Sequence, residues 1–440
     1  MERKSYGFAF GALTALFFVW GFITVVVDAF IPRLKDVFEL SYGQAGLIQV
    51  AWFLAYLFLS IPGGIMVAKI GYKKGIMGGL AIAGLGCLLF YPAAAWRVYG
   101  LFLCALFVLA GGLTILQVAA NPFVSVLGSE EKASSRLNLS QAFNSLGTTI
   151  APIFSAAFLL SDSILSSREI ENLGETAKVA YLSSEASAVQ LPFILIGIAL
   201  IALASLFGFI KLPRLLDDSP KSSLKEALKH NNLRMGVVGI FLYVGAEVAI
   251  GSYLTNYFLS MNLSDIILNT PSLSAVAETL TSLFSTASFA ELDEKAVVGA
   301  FVVFYWGGAM AGRFVGSFLT GILAPQKVLG AFAVCAVVLL AITINTSGLV
   351  AMFSALAVGF FNSTMFPTIF TLSLHGLGDS KPQGSGLLCT AIFGGAVLPP
   401  TFGLTVDYFG FNIAFLLPVL AYLFILYLSY KTPSLNSKRA

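Results

Sequence analysis

Long apolar stretches return twelve times along this chain, separated by short polar links. An α-helix rises ~1.5 Å per residue, so ~20 apolar residues cross the ~30 Å hydrocarbon layer of a bilayer. The stretches near 7–31, 44–68, 75–94, 98–123, 135–160, 190–210, 235–260, 296–321, 327–346, 348–374, 383–406 and 411–430 meet that length. Lipid offers no partner to a free backbone N–H or C=O, so segments of this kind are helical. The expected class is an all-α integral membrane protein with twelve transmembrane helices. Charged residues make up 11% of 440, against about a quarter in soluble domains. That excludes a globular enzyme on a single anchor, and a net charge of +3 is too small to suggest nucleic acid. The short charged start, Met1 to Tyr6, and the long apolar run after it do not read as a cleavable signal.

Basic residues collect beside the cytoplasmic ends of spans. With the N-terminus inside, 18 Lys and Arg fall on the inner side and 6 on the outer, with Arg313 left inside a helix. Both termini are therefore expected in the cytoplasm. The basic stretch 211–234 divides the chain into 1–210 and 235–440, each with six spans. Its segment SSLKEALKHNNLRM reads either as an amphipathic helix on the inner surface or as a solvated linker. Stretches 161–189 and 261–295 read as long outer loops.

The two sets of six resemble each other. LQVAANPFVSVLG in the fourth span aligns with FNSTMFPTIFTLS in the tenth, Pro122 on Pro367 and Gln117 on Asn362. GTTIAP in the fifth aligns with GGAVLP in the eleventh, and GGIMVAKIGYKK after the second with GSFLTGILAPQK after the eighth. Three matches in order point to a duplicated six-helix unit.

Few strong polar groups lie inside the spans. Asp28, near the end of the first, either faces a cavity and binds a cation or sits at the membrane edge before Pro32. Gln117 and Asn121 share one face of the fourth span, and Gln141 and Asn144 one face of the fifth. Tyr243, Glu247 and Asn256 lie in the seventh, Tyr305, Trp306 and Arg313 in the eighth, and Asn362 in the tenth. Amides offer donors and acceptors to hydroxyl groups, and an aromatic face packs on the C–H face of a sugar ring. Each has a plainer alternative. Amides also join helices, tyrosines anchor at interfaces, and Asn121 next to Pro122 also fits capping of a kink. Arg313 reads as a structural or gate partner, and a mid-helix carboxylate such as Glu247 needs a reason. Cys87, Cys104, Cys335 and Cys389 lack metal-ligand spacing and read as small buried hydrophobes. His230 and His375 fall in loops, and no nucleophile–base pair suggests an enzyme. The glycine runs follow no strand and lack a phosphate-loop pattern, so no nucleotide cofactor is expected.

FFVWGFITVVVDAFIP, LTILQVAANPFVSVLG, SRLNLSQAFNSLGTTIAP, YVGAEVAIGSYL, FYWGGAMAGRFVGS and FNSTMFPTIFTLSLHGLG resemble the fucose permease family of the major facilitator superfamily. They resemble its bacterial glucose/galactose transporter branch most. The resemblance implies two six-helix bundles that rock about a central cavity, and uptake of a monosaccharide with a cation across the bacterial inner membrane. It makes Asp28 the coupling acid and gives Gln141 and Asn144 a part in sugar binding. Gln117 stands where proton-coupled fucose permeases have Glu, and several relatives with Gln there are sodium-dependent. Sodium held by Asp28, with oxygens from Thr24, Gln117 or Asn121, is the first expectation and a proton the alternative. Sugar contacts are expected from Gln117, Gln141, Asn144, Glu247, Asn256 and Asn362, with stacking on Trp306, Tyr243 or Tyr305. The working unit is expected to be a monomer among membrane lipids. Val25 replaces a family Asn, and Ala68 replaces the Asp of the superfamily's loop signature. A drug–proton exporter fits less well, because the fifth helix lacks the Gly-Pro-Gly-Gly pattern.

Overall fold

A computed structural model describes residues 2–29, 42–159, 172–213, 223–283, 289 and 292–432, and no described residue lies in a strand. Six long helices form the first bundle: α1 (Glu2–Ala29), α2 (Tyr42–Ile70), α3 (Tyr72–Trp96), α4 (Tyr99–Val126), α5 (Ala133–Leu159) and α6 (Glu175–Phe209). Six more form the second: α7 (Asn231–Ser260), α8 (Glu294–Ile322), α9 (Pro325–Asn345), α10 (Gly348–Leu374), α11 (Gly378–Phe409) and α12 (Phe411–Lys431). Eleven are long and apolar enough to cross a membrane. The twelfth, α5, has 27 residues and carries Asn138, Gln141, Asn144 and several Ser and Thr.

The duplication read in the sequence is a packing fact. In the first bundle α1 packs on α5, α3 on α4 and α6, and α2 on α4. In the second, with six added to each number, α7 packs on α11, α9 on α10 and α12, and α8 on α10. Between the bundles α2 meets α11 and α5 meets α8. Lipid supplies no hydrophobic drive between helices, so close packing of small residues must hold them. Gly64 and Gly386 do this between bundles: a Cβ on Gly386 would stand 2.7 Å from the Ser60 carbonyl. Phe58, Leu195, Phe318 and Leu420 are exposed, a surface suited to lipid rather than water.

Each repeat carries a proline in its fourth helix. Proline has no N–H, so the carbonyl four residues earlier loses its helical donor. Pro122 frees the Val118 carbonyl, which accepts a hydrogen bond from Ser385 Oγ of α11 (2.8 Å). Pro367 frees the Ser363 carbonyl, which accepts from Arg313 Nε of α8 (3.3 Å). Here α10 breaks between Asn362 and Met365. Arg136 is one of the cations on the inner side. It lies on α5 and donates to the Val124 and Ser125 carbonyls (3.1 and 2.6 Å), closing the end of α4.

The bundles meet at the end that bears the loops after α2, α4, α8 and α10. Asn138 Nδ2 donates to Thr368 Oγ1 (3.2 Å), Ser134 and Thr371 pair by their hydroxyls (2.5 Å), and Ser317 Oγ donates to the Ser135 carbonyl (2.9 Å). Glu130 takes Lys381 at 3.5 Å and His375 at 3.6 Å. These last pairs are half exposed and add little stability by themselves.

Four expectations change. The outer stretch 161–189 is not all loop, because α6 begins at Glu175. The stretch 261–295 holds two helices, Leu263–Asn269 and Pro271–Ser282. In the central stretch the described residues form one turn, Leu224–Ala227, capped by Ser223, not a long amphipathic helix. Asparagines and histidine at 230–232 favour a cap over a helix interior, and α7 starts there. Cys104 is exposed rather than buried, unlike Cys87 and Cys389.

Candidate functional site

The first half-site lies on α1, α4 and α5. Gly21 and Gly147 let α1 and α5 touch, their missing side chains making room for Asn144 and for the Phe18 backbone. Across this contact Asn144 Nδ2 donates to the Phe17 carbonyl (2.9 Å). Gln141 Nε2 donates to Asn121 Oδ1 (3.4 Å), joining the two amide pairs expected from spacing. Gln117 Nε2 donates to Tyr56 Oη of α2 (2.5 Å). Thr24 Oγ1 donates to the Trp20 carbonyl (2.9 Å). Asp28 belongs to α1, and its side chain lies outside the described residues.

The second half-site is on α7, α8 and α10. Glu247 and Arg313 pair at 3.4 Å, both largely buried. Arg313 also donates to Ser145 Oγ of α5, so its guanidinium ties an acid of one bundle to a hydroxyl of the other. Ser145 in turn donates to the Gln141 carbonyl (3.1 Å). The charge pair thus reaches the backbone of α5, the helix that carries Gln141 and Asn144. Toward the closed end Phe143 and Phe314 meet edge to face at 5.9 Å, forming a floor under it.

Trp306 is 44% exposed. It shares a helix face with Arg313 and Ser317, which touch the first bundle, and stands two turns nearer the far end. Gly251, one turn after Glu247, receives its ring: a Cβ there would come within 2.6 Å of Cζ2. Tyr305 meets the ring edge to face at 5.0 Å. These contacts set an aromatic plate beside the charge pair.

Other expected contacts stand behind the site. Tyr305, Tyr243 and Asn362 are fully buried. Tyr305 Oη donates to the Glu247 carbonyl (3.1 Å), and Asn362 Nδ2 donates to Tyr305 (2.8 Å) and Tyr422 (3.1 Å). Tyr305, backed by Asn362, thereby holds the backbone under Glu247. Tyr243 lies one turn before Glu247 and is buried beside it. Asn256 is exposed, and nine residues at 100° each put it on the face of α7 opposite Glu247. Three partners escaped the sequence reading: Tyr56, Ser145 and Tyr422. Only Tyr56 had a signal, since the repeat matches α2 with α8 and so Tyr56's helix with that of Tyr305. No group of His, Cys, Asp and Glu able to hold a metal occurs among the described residues.

The Major Facilitator Superfamily model matches residues 8–391. The chain belongs to the major facilitator superfamily. Within the superfamily it is 47% identical to a protein of Brucella abortus named glucose/galactose transporter, over 96% of this chain and 94% of that one. It is 35% identical to the L-fucose-proton symporter of Escherichia coli strain K12, over 96% and 92%. A crystal structure of a superfamily transporter, FucP, in the outward conformation superposes with a TM-score of 0.84 at 32% identity, over 98% and 99%. The chain is accordingly a multi-pass membrane transporter of the superfamily, not an enzyme.

Proposed function

We propose that the chain imports a monosaccharide of the glucose/galactose type together with a cation, by alternating access. The observation that carries this reading is the joined half-sites: Gln117, Gln141 and Asn144 on one bundle, Glu247, Arg313 and exposed Trp306 on the other. Amides and a carboxylate address hydroxyl groups, and the indole addresses the apolar ring face. A neutral sugar bridging the two sides would compete for Arg313 and Ser145 and so couple binding to motion between the bundles. The name of the Brucella relative supports the hexose. Residues 1–210 and 235–440 would be the moving units and 211–234 their tether. The closed end carries the basic loops, which supports cytoplasmic termini, an outward-facing state and a bacterial inner membrane. One copy holds the whole site, so the working unit is a monomer.

The coupling ion favoured is the proton, carried by Asp28. The relative named for its ion is a proton symporter. Sodium, expected first from the sequence, is less favoured, although the oxygens of Thr24 and Asn121 keep lone pairs beside their bonds to Trp20 and Gln141. Sodium stays as the second reading on one observation: Gln117 is an amide and cannot release a proton. Either ion neutralises Asp28 and lowers the cost of closing the cavity around it. The linkage between ion and sugar is reciprocal, and one charge crossing 100 mV contributes about 2.3 kcal/mol.

Uptake of labelled glucose, galactose and fucose into proteoliposomes tests this, with an inward proton or sodium gradient, for the parent and Asp28→Asn. Proton-driven hexose accumulation lost in the variant is expected. Sodium-driven accumulation at fixed pH would replace the proton with the second reading. Fucose uptake without glucose or galactose would overturn the hexose assignment.

A further inference from the structure

A second cavity lies far from the sugar site, between α9 and α12 at the closed end. Its volume is about 630 Å³, and its walls include Gln326, Lys327, Ala331, Ser429, Tyr430 and Lys431. Two lysines, one at the start of α9 and one at the end of α12, give it positive charge. Lys431 sits over the Tyr427 ring, with Nζ 5.8 Å from the centroid. Gln326 is 92% buried, being 8% exposed, and its Oε1 has no hydrogen-bond partner among the described residues. A buried acceptor left unpaired is costly, so a donor beyond the described residues is its natural complement.

From this cavity two apolar stripes run along the spans. Val334, Val338 and Ile342 are exposed at helical spacing on α9, and Leu420, Leu423 and Tyr427 on α12. A free anion would use the lysines and leave these stripes unused. We propose that the groove binds an anionic phospholipid of the phosphatidylglycerol type. Its phosphate lies between Lys327 and Lys431, a glycerol hydroxyl donates to Gln326 Oε1, and its acyl chains follow the two stripes. Basic pockets between helices at a membrane face suit such headgroups. The assignment depends on the membrane-spanning fold and not on the identity of the sugar or the coupling ion.

The test uses the full chain, purified in detergent and washed free of lipid. Melting is followed while phosphatidylglycerol, phosphatidylcholine or inorganic phosphate is added, and bound lipid is counted by native mass spectrometry. Stabilisation and retention are expected with phosphatidylglycerol alone. Lys327→Gln with Lys431→Gln should weaken the apparent affinity roughly 30-fold, from the usual contribution of a basic residue at an anionic headgroup. Lys69→Gln with Lys225→Gln removes two exposed charges elsewhere and should leave it unchanged. Ala331→Trp fills the groove without altering charge and should also weaken retention. Equal retention by the parent and the Lys327/Lys431 variant would overturn the site, as would equal loss in the Lys69/Lys225 control. Inorganic phosphate reproducing the melting shift would overturn the lipid assignment in favour of a free anion.

Discussion

The two bundles carry the same defect and repair it differently. Pro122 and Pro367 each free a carbonyl in the fourth helix of a repeat. The Val118 carbonyl is satisfied by Ser385 from the opposite bundle, the Ser363 carbonyl by Arg313 from its own. In the proposed cycle the first bond breaks whenever the closed end opens, and the second persists. The first kink is thus a reporter of the closed state, and the second a fixed support for the arginine that carries the inter-bundle network. A pair of amide–tyrosine bonds makes the same point. Gln117 reaches Tyr56 from α4 to α2, and Asn362 reaches Tyr305 from α10 to α8. The first amide joins the candidate sugar site, whereas the second is sealed behind Glu247. Duplication preserves the backbone solution, and function divides the side chains.

The strongest break in this comparison is Arg313→Met. It leaves Glu247 buried and unpaired and removes the donor to Ser363, so a loss of about 3–5 kcal/mol is expected. Thermal unfolding in detergent should fall steeply and uptake should stop. Adding Glu247→Gln should return much of the stability but not the uptake. A double variant no more stable than Arg313→Met would show that the ion pair is not the reason.

Next in size is Tyr56→Phe. It leaves the buried Gln117 amide without its acceptor, at a cost of about 1–3 kcal/mol. If Gln117 binds sugar, KM should rise while the protein still folds. The mirror change, Tyr305→Phe, should lower melting more than it alters KM. Equal KM effects from both would erase the distinction between a ligand-facing and a buried amide.

The smallest effect is the one that best separates the kinks. Ser385→Ala removes one neutral hydrogen bond and should shift the closed end toward opening by about 1 kcal/mol. Labelling by an impermeant thiol reagent of a cysteine placed at Ser134, buried between the bundles at the closed end, reads that shift. In a Pro122→Ala background the backbone donor is restored, and Ser385→Ala should then be nearly silent. An undiminished effect there would mean that Ser385 acts through something other than the freed carbonyl.

Much of this was legible in the chain. Hydropathy marked the twelve helices, because lipid permits few other backbone solutions. The aligned prolines marked the repeat, and three- and four-residue spacings grouped Gln117 with Asn121 and Gln141 with Asn144, because the helix period fixes which residues share a face. Intramembrane cost singled out Glu247 and Arg313. What could not be read was how faces meet. Asn256 lies on the face of α7 opposite Glu247. Asn362 matched Gln117 in the repeat, yet Tyr305 and Tyr422 enclose it. Ser145 is an ordinary serine until α8 brings Arg313 against it. The sequence by itself determined the helices, their pairing into two units and the small set of polar groups that had to be accommodated. The tertiary structure alone decided which of those groups face each other across the bundles, because packing angle and rotation about a helix axis depend on contacts between residues hundreds of positions apart.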